Sequence, residues 1–165
     1  MSSFSPIFQV PVIHAHEQHH NLLRTWYNSH MNTMRRNDEA PIATVTSHDS
    51  QDDDAVALTF DDGPSENTAA LLDILAQEEV AATFFLIGEN AERHPDLVQA
   101  IVDHGHAIGN HTWSHPHLPE LSPEEISREI ERTDQAICAA GGPHPTFLRP
   151  PFGEFDSIVK SAARS

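Results

Sequence analysis

The segment AVALTFDDGP, residues 55–64, decides which fold the chain is expected to adopt. Its first six residues form a short apolar run, partly β-branched or aromatic, as is typical of a buried strand. Asp61 and Asp62 follow directly, and Gly63-Pro64 then marks a turn. The pair of aspartates could cap a following helix, or it could bind a cation that keeps both carboxylates ionised.

Three more short apolar runs follow, at residues 80–86, 106–110 and 146–149. Helical segments separate them, and each has a recognisable start or end. One begins after Pro64-Ser65, and a second runs from Pro95 to Gly105. The third has a capping box formed by Ser122 and Glu125, and it ends at Gly141-Gly142.

Strands alternating with helices predict an α/β fold with a parallel sheet, built here from about four strand-helix units. A doubly wound sheet and a (β/α) barrel both fit this order. In either one, active sites form at the carboxyl ends of the strands, where Asp61, Asp62, His111 and Arg149 fall. No Gly-x-Gly-x-x-Gly pattern follows the first strand, which disfavours a dinucleotide-binding fold.

The composition excludes several classes of protein. There are 25 acidic and 9 basic residues, a formal net charge of -16, so binding to nucleic acid or to an anionic membrane surface is not expected. Cys138 is the only cysteine, which excludes an intrachain disulfide and a cysteine-based metal cluster. No signal peptide or transmembrane segment is recognisable, and this predicts a cytoplasmic location.

Residues 1–54 differ in texture from the rest. Five histidines lie between His14 and His30, and the stretch closes on the acidic run at residues 52–54. Its apolar residues show no sustained period of a helix or a strand. We interpret it as a His-rich, acidic and mostly flexible extension that precedes one domain at residues 55–165.

Two further motifs carry candidate chemistry. His111 and His115 lie four residues apart, and at helical spacing both rings can reach one metal ion. Because Thr112 stands between them where a metalloprotease helix has glutamate, that class is disfavoured. With one aspartate the pair offers three ligands and leaves positions open for water and substrate, as in catalytic sites. Arg149 precedes the stiff Pro150-Pro151 pair and can hold a carboxylate ionised.

These motifs, in this order, resemble those of the polysaccharide deacetylase family, the NodB-homology domain or carbohydrate esterase family four. Residues 59–64 are similar to its first motif, residues 111–115 to its second and residues 149–153 to its third. The resemblance implies a distorted, incomplete (β/α) barrel. It also implies a divalent metal, zinc first and cobalt or another ion as alternatives, and an acetylated carbohydrate as substrate.

The resemblance implies roles for individual residues as well. The metal ligands would be Asp62, His111 and His115, and Asp61 would be the general base held by Arg149. The backbone N–H of Phe152 would lie near the developing oxyanion, and substrate contacts would come from Pro151 and Phe152.

The family's general acid is a histidine in a later Leu-x-His motif, and no histidine follows His144 here. We therefore expect a C-terminally truncated form of the domain, without its general acid and with impaired activity. The expected reaction is removal of N-acetyl groups from N-acetylglucosamine polymers such as chitin or peptidoglycan. The alternatives are an inactive metal- or sugar-binding remnant, an O-acetyl xylan esterase, and an oxygenase that binds Fe(II) through two histidines and one carboxylate.

Overall fold

The computed structural model describes residues 43–47 and 56–163. One four-stranded sheet has the order β1-β2-β3-β4. The strands are β1 Ala43–Ser47, β2 Val56–Gly63, β3 Thr83–Leu86 and β4 Ala107–Asn110. The helices are α1 Thr68–Gln77, α2 Gly88–Arg93, α3 Pro95–Asp103, α4 Pro123–Ala139 and α5 Ser157–Ala162, with 3-10 turns at Leu118–Glu120 and Pro151–Gly153.

The predicted α/β fold is confirmed, because β2, β3 and β4 are parallel and helices follow each of them. The prediction of four strand-helix units was too high. The run at residues 146–149 contributes only an isolated bridge between Leu148 and Asn110. Pro150 and Pro151 follow one residue after that bridge, and since proline has no N–H, the ladder cannot continue through them.

A strand that the sequence did not reveal lies within the predicted extension. β1 pairs antiparallel with β2, from Ala43 opposite Phe60 to Ser47 opposite Val56. The histidines between His14 and His30 and the acidic run at 52–54 lie outside the described residues. The division at residue 54 therefore stays a prediction.

The main core lies between one face of the sheet and the helices. Phe60, Phe84 and Ile108 point from three neighbouring strands into it, and they are at most 4% exposed. Helices α1, α3 and α4 cover them with side chains that are themselves buried: Leu71, Leu72, Leu75, Val98, Ile101 and Ile137. On the opposite face of the sheet, Phe85 packs against Gly109. Because successive side chains of a strand point to opposite faces, the side chains that approach the site lie on this second face of the sheet.

The helix boundaries agree with the local signals in the sequence, with one exception. α4 begins with the predicted capping box, in which the Ser122 hydroxyl accepts from the Glu125 N–H. The exception is α2, a helix of six residues that was not predicted because it is too short to show a period. Among residues 43–47 and 56–163, no helix has the length and apolar character of a membrane span.

Gly88, the first residue of α2, allows this helix to pack closely on the loop after β4. A Cβ atom there would lie 2.5 Å from Trp113 Cε3 and 2.7 Å from Thr133 Oγ1. Gly88→Ala should therefore lower the free energy of unfolding by about 1–3 kcal/mol, the usual effect of overpacking. Denaturant titration measures this. Gly63→Ala is the control, since its Cβ would make an ordinary contact of 3.5 Å with Leu86, and equal losses in both variants would contradict the packing argument.

His106 is buried immediately before β4, and its position predicts that the fold is sensitive to acid. Its Nδ1 accepts the Ala82 N–H at 3.2 Å, so the ring must be neutral at that atom. Burial, with the nearby His104, holds the pKa of His106 below its ordinary value of 6.5. The unfolded chain therefore takes up this proton at a higher pH than the folded chain does.

The contribution of His106 to stability should be complete above pH 6.5 and should be lost as the pH falls toward the lowered pKa. His106→Gln should flatten this part of the pH profile of the unfolding free energy, measured in urea. His144→Gln is the control, because that side chain is 75% exposed. If His106→Gln kept the wild-type slope, the argument would be wrong.

Candidate functional site

Three potential metal ligands meet at the carboxyl edge of the sheet. Asp62 lies at the end of β2, and His111 and His115 come from the loop that follows β4. Nε2 of His111 is 3.3 Å and Nε2 of His115 is 3.4 Å from Oδ1 of Asp62. All three ligand atoms lie within 4.8 Å of one another. The structure therefore brings together the three residues that the sequence suggested as ligands.

The tautomer of His111 leaves a lone pair on the ring nitrogen that faces Asp62. Its Nδ1 lies 2.6 Å from the carbonyl oxygen of Arg149, so Nδ1 carries a proton and donates to it. In the neutral ring, Nε2 then presents a lone pair towards the Asp62 carboxylate. Asp62 Oδ1 is buried and accepts no hydrogen bond. Two lone pairs and a carboxylate that face one another without a donor form a donor set that suits a divalent cation.

The two histidines are not on a helix, contrary to the spacing argument from the sequence. Residues 111–115 form an irregular turn, in which Thr112 has φ 68° and His115 has φ 58°. Asp62 also has a positive φ of 66°. Left-handed backbone is rare for residues other than glycine, and it is concentrated at sites where the surrounding structure imposes it.

Asp61 faces a different partner from its neighbour Asp62. Nη1 of Arg149 donates to Asp61 Oδ1 at 2.6 Å and to the Thr59 hydroxyl at 2.9 Å. The guanidinium carbon lies 4.0 Å from the ring centre of Phe85, so the arginine is held between a carboxylate and an aromatic face. The predicted contact between Asp61 and Arg149 is present.

Local electrostatics differ among the site residues. Burial raises the pKa of Asp61 above its ordinary value, and the charge of Arg149 opposes that rise. When the His111 ring is protonated at both nitrogens, it donates to Asp62 and lowers the pKa of that carboxyl against the effect of burial. Burial also lowers the pKa of His115, although the Asp62 charge opposes this. A neutral His115 ring has a lone pair to offer a metal at neutral pH.

The loop after Arg149 lies beside the histidines. Phe152 has φ 59° and a 58% exposed side chain, while Pro151 is buried. The Phe152 ring stacks on His117 with centroids 4.0 Å apart, and it meets His115 edge-on at 4.7 Å. Nδ1 of His117 in turn lies 2.9 Å from Glu154. Of the two predicted substrate contacts, Phe152 is the one whose side chain is accessible.

Two asparagines that support the site, the buried Asn110 and the half-buried Asn90, were missed by sequence reasoning. Asn110, the last residue of β4, accepts the Thr112 N–H at 2.7 Å and donates to Asp134 at 2.7 Å. Asn90 on α2 donates to the backbone oxygen of Asp62 at 2.8 Å. One signal was readable, because Asn110 is a polar residue at the end of an apolar run and directly precedes His111. Asn90 carries no such signal, since α2 itself was not predicted.

Comparison with known proteins identifies the family to which the chain is similar. Residues 48–165 match the family profile described as polysaccharide deacetylase. The chain is 51% identical over 100 residues to a peptidoglycan-N-acetylglucosamine deacetylase of Bacillus cereus. The aligned residues make up 60% of this chain and 36% of that protein. It is 45% identical over 109 residues to chitin deacetylase 1 of Saccharomyces cerevisiae, covering 66% of this chain and 35% of that protein.

A solved structure is similar over the same region. The family 4 carbohydrate esterase from Streptomyces lividans, in complex with acetate, superimposes with a TM-score of 0.64 at 44% sequence identity. The match covers 64% of this chain and 55% of that one. The chain spans about a third of the length of the two curated relatives, at 36% and 35%.

Removing a candidate ligand should abolish metal binding. Asp62→Asn replaces the charged oxygen ligand by a neutral one while tolerating the positive φ, and His111→Ala removes a nitrogen ligand. Isothermal titration calorimetry with zinc should show a single site in the wild type and no measurable binding in either variant. His144→Ala, which removes an exposed histidine, should bind as the wild type does. Unchanged affinity in both ligand variants would contradict the assignment.

Proposed function

The chain belongs to the polysaccharide deacetylase family, and on this premise we propose that it is part of a metal-dependent hydrolase that removes N-acetyl groups from N-acetylglucosamine polymers. The observation that carries the proposal is the convergence of Asp62, His111 and His115 beside the pair of Asp61 and Arg149. The proposed ligands and the proposed base thus lie side by side, as metal-assisted hydrolysis of an amide requires.

The proposed substrate is an acetylated carbohydrate of the chitin or peptidoglycan type. Two relatives are named as deacetylases of such polymers, and the solved relative was captured with acetate, which would be the product here. Zinc is the first choice of metal, because two imidazole nitrogens and one carboxylate form a common catalytic zinc set. An O-acetyl ester, as in xylan, is the alternative substrate within the family.

Asp62, His111 and His115 would hold the metal. When bound, the metal would polarise the acetyl carbonyl and make water easier to deprotonate. The hydrogen bond from His111 to the Arg149 carbonyl fixes the ring so that Nε2 faces the site. The three ligands leave room in the coordination sphere for water and substrate.

Asp61 is proposed as the general base. Its raised pKa makes the carboxylate a stronger proton acceptor, and the Arg149 charge keeps it ionised at neutral pH. The guanidinium also fixes its orientation at 2.6 Å. As the carbonyl carbon becomes tetrahedral, the backbone N–H of Phe152 would donate to the oxygen that gains charge. That N–H is the first one after Arg149, since both intervening residues are prolines.

A second candidate is a domain that binds metal or sugar without turnover. The leaving amine needs a proton, and we assign that role to no residue between 56 and 163. Acetate release from chitopentaose, measured with added zinc or cobalt, separates the two candidates. Turnover excludes the binding-only domain, whereas metal binding without acetate supports it.

Asp61→Asn tests the proposed base. Losing the proton acceptor should reduce the rate of acetate release by about 10²- to 10⁴-fold, the usual contribution of general base catalysis. Zinc affinity should remain close to that of the wild type, because Asp61 is not among the proposed ligands. Asp73→Asn on the exposed side of α1 serves as the charge-matched control. A rate equal to the wild type would remove Asp61 from the mechanism.

A further inference from the structure

Glu129, in the middle of α4, reaches across to the turn that joins His111 and His115. Its Oε2 accepts the backbone N–H of Trp113 at 2.9 Å and that of Ser114 at 2.8 Å. Its Oε1 accepts the Ser114 hydroxyl at 3.1 Å. One carboxylate therefore satisfies three donors, all within the stretch between the two histidines.

This turn needs support because its backbone is unfavourable. Residues 112 and 115 both have positive φ, at 68° and 58°, and neither is a glycine. The carbonyl side of the turn is held by α2, where the N–H groups of Gly88 and Glu89 donate to Thr112 and Trp113 at 3.0 and 3.2 Å. Glu129 supplies the acceptors for the opposite, N–H side. The turn is thus fixed between two helices.

The indole between the two histidines is fixed from the same helix. Trp113 is 6% exposed, and the guanidinium carbon of Arg132 lies 3.5 Å from its ring centre. Arg132 is three residues after Glu129 on α4, so both side chains approach the turn from one helical face. A charged acceptor makes the two backbone hydrogen bonds stronger than a neutral one would.

We propose that Glu129 is a positioning residue of the metal centre, which sets metal affinity by keeping His115 at the distance from His111 that one ion requires. The inference rests on the proposed function, since it presupposes that the two histidines and Asp62 bind a metal. Glu129 is not one of the three proposed ligands. It acts through the backbone of Trp113 and Ser114.

The experiment compares zinc affinities of four full-length variants with that of the wild type by calorimetry. Glu129→Leu keeps most of the side-chain volume and removes all acceptors, so zinc affinity should fall by about 10- to 100-fold, as for other outer-shell substitutions. Glu129→Asp withdraws the carboxylate by one methylene and should lose less. Glu129→Gln should recover most of the affinity lost in the Leu variant, because its amide oxygen can accept both backbone N–H groups.

Glu131→Leu is the matched control, since it makes the same change at an exposed position two residues away. Melting temperatures of the metal-free proteins show whether a loss of affinity is only a loss of folding. If Glu129→Leu does not fold, Glu129→Asp carries the test. Wild-type affinity in Glu129→Asp and in any folded Glu129→Leu protein would overturn the positioning role and leave the proposed function intact. Absence of zinc binding by the wild type would overturn the proposed function and the positioning role with it.

Discussion

Arg149 is the residue on which the geometry of the site depends. Its N–H donates to the carbonyl of Asn110 at 2.9 Å, and its own carbonyl accepts from His111 at 2.6 Å. Its side chain bonds Asp61 and Thr59 on β2. A single residue thus joins the ends of two strands that are not neighbours, one through its backbone and the other through its guanidinium. The position of β2 relative to the loop after β4 is fixed by these four bonds.

Strain in the backbone is concentrated around this residue. Among residues 56–163, five residues other than glycine have positive φ, and four of them belong to the site: Asp62, Thr112, His115 and Phe152. The fifth, Glu79, follows the end of α1. Such conformations cost on the order of 1–3 kcal/mol each and persist only where other contacts impose them. Here the contacts are hydrogen bonds donated by Asn90 and the start of α2 and accepted by Asn110 and Glu129.

The sequence predicted those parts of the molecule that depend on local signals. The capping box at Ser122, the apolar runs and the order of strands and helices all follow from residues close together in the chain. The motif residues could also be placed at the carboxyl edge, because parallel strands end on the same side of a sheet. That rule and the resemblance predicted that Asp62, His111 and His115 would lie together, and the structure gives the distances of 3.3 and 3.4 Å.

What the sequence could not reveal depends on contacts between distant segments. The helical spacing of His111 and His115 suggested a helix, but hydrogen bonds to α2 and to Glu129 on α4 hold this segment as a turn instead. β1, with the sequence ATVTS, lacks an apolar run like those of the other strands, and it is recognised only through its pairing with β2. Glu129 stands among other charged residues of α4 and has no local feature that marks it. Its function becomes visible only with the turn beside it.

The adjacent carboxylates of Asp61 and Asp62 show how a strand end can give two like residues different chemistry. The pairing of β2 with β3 is irregular between Phe60 and Gly63, where these aspartates lie. A bulge of this kind re-aims side chains near active sites. Asp61 then faces Arg149, and Asp62 faces two imidazoles.

The two environments move the pKa values in opposite directions, up for Asp61 and down for Asp62. A carboxyl with a raised pKa is suited to take a proton, while one with a lowered pKa is suited to remain an anionic ligand. The proposed division of work between base and ligand therefore follows from the local backbone, although both residues are aspartates. Without the irregularity in β2, regular alternation would send one of the two side chains to the helix-covered face of the sheet, where no cation could reach it.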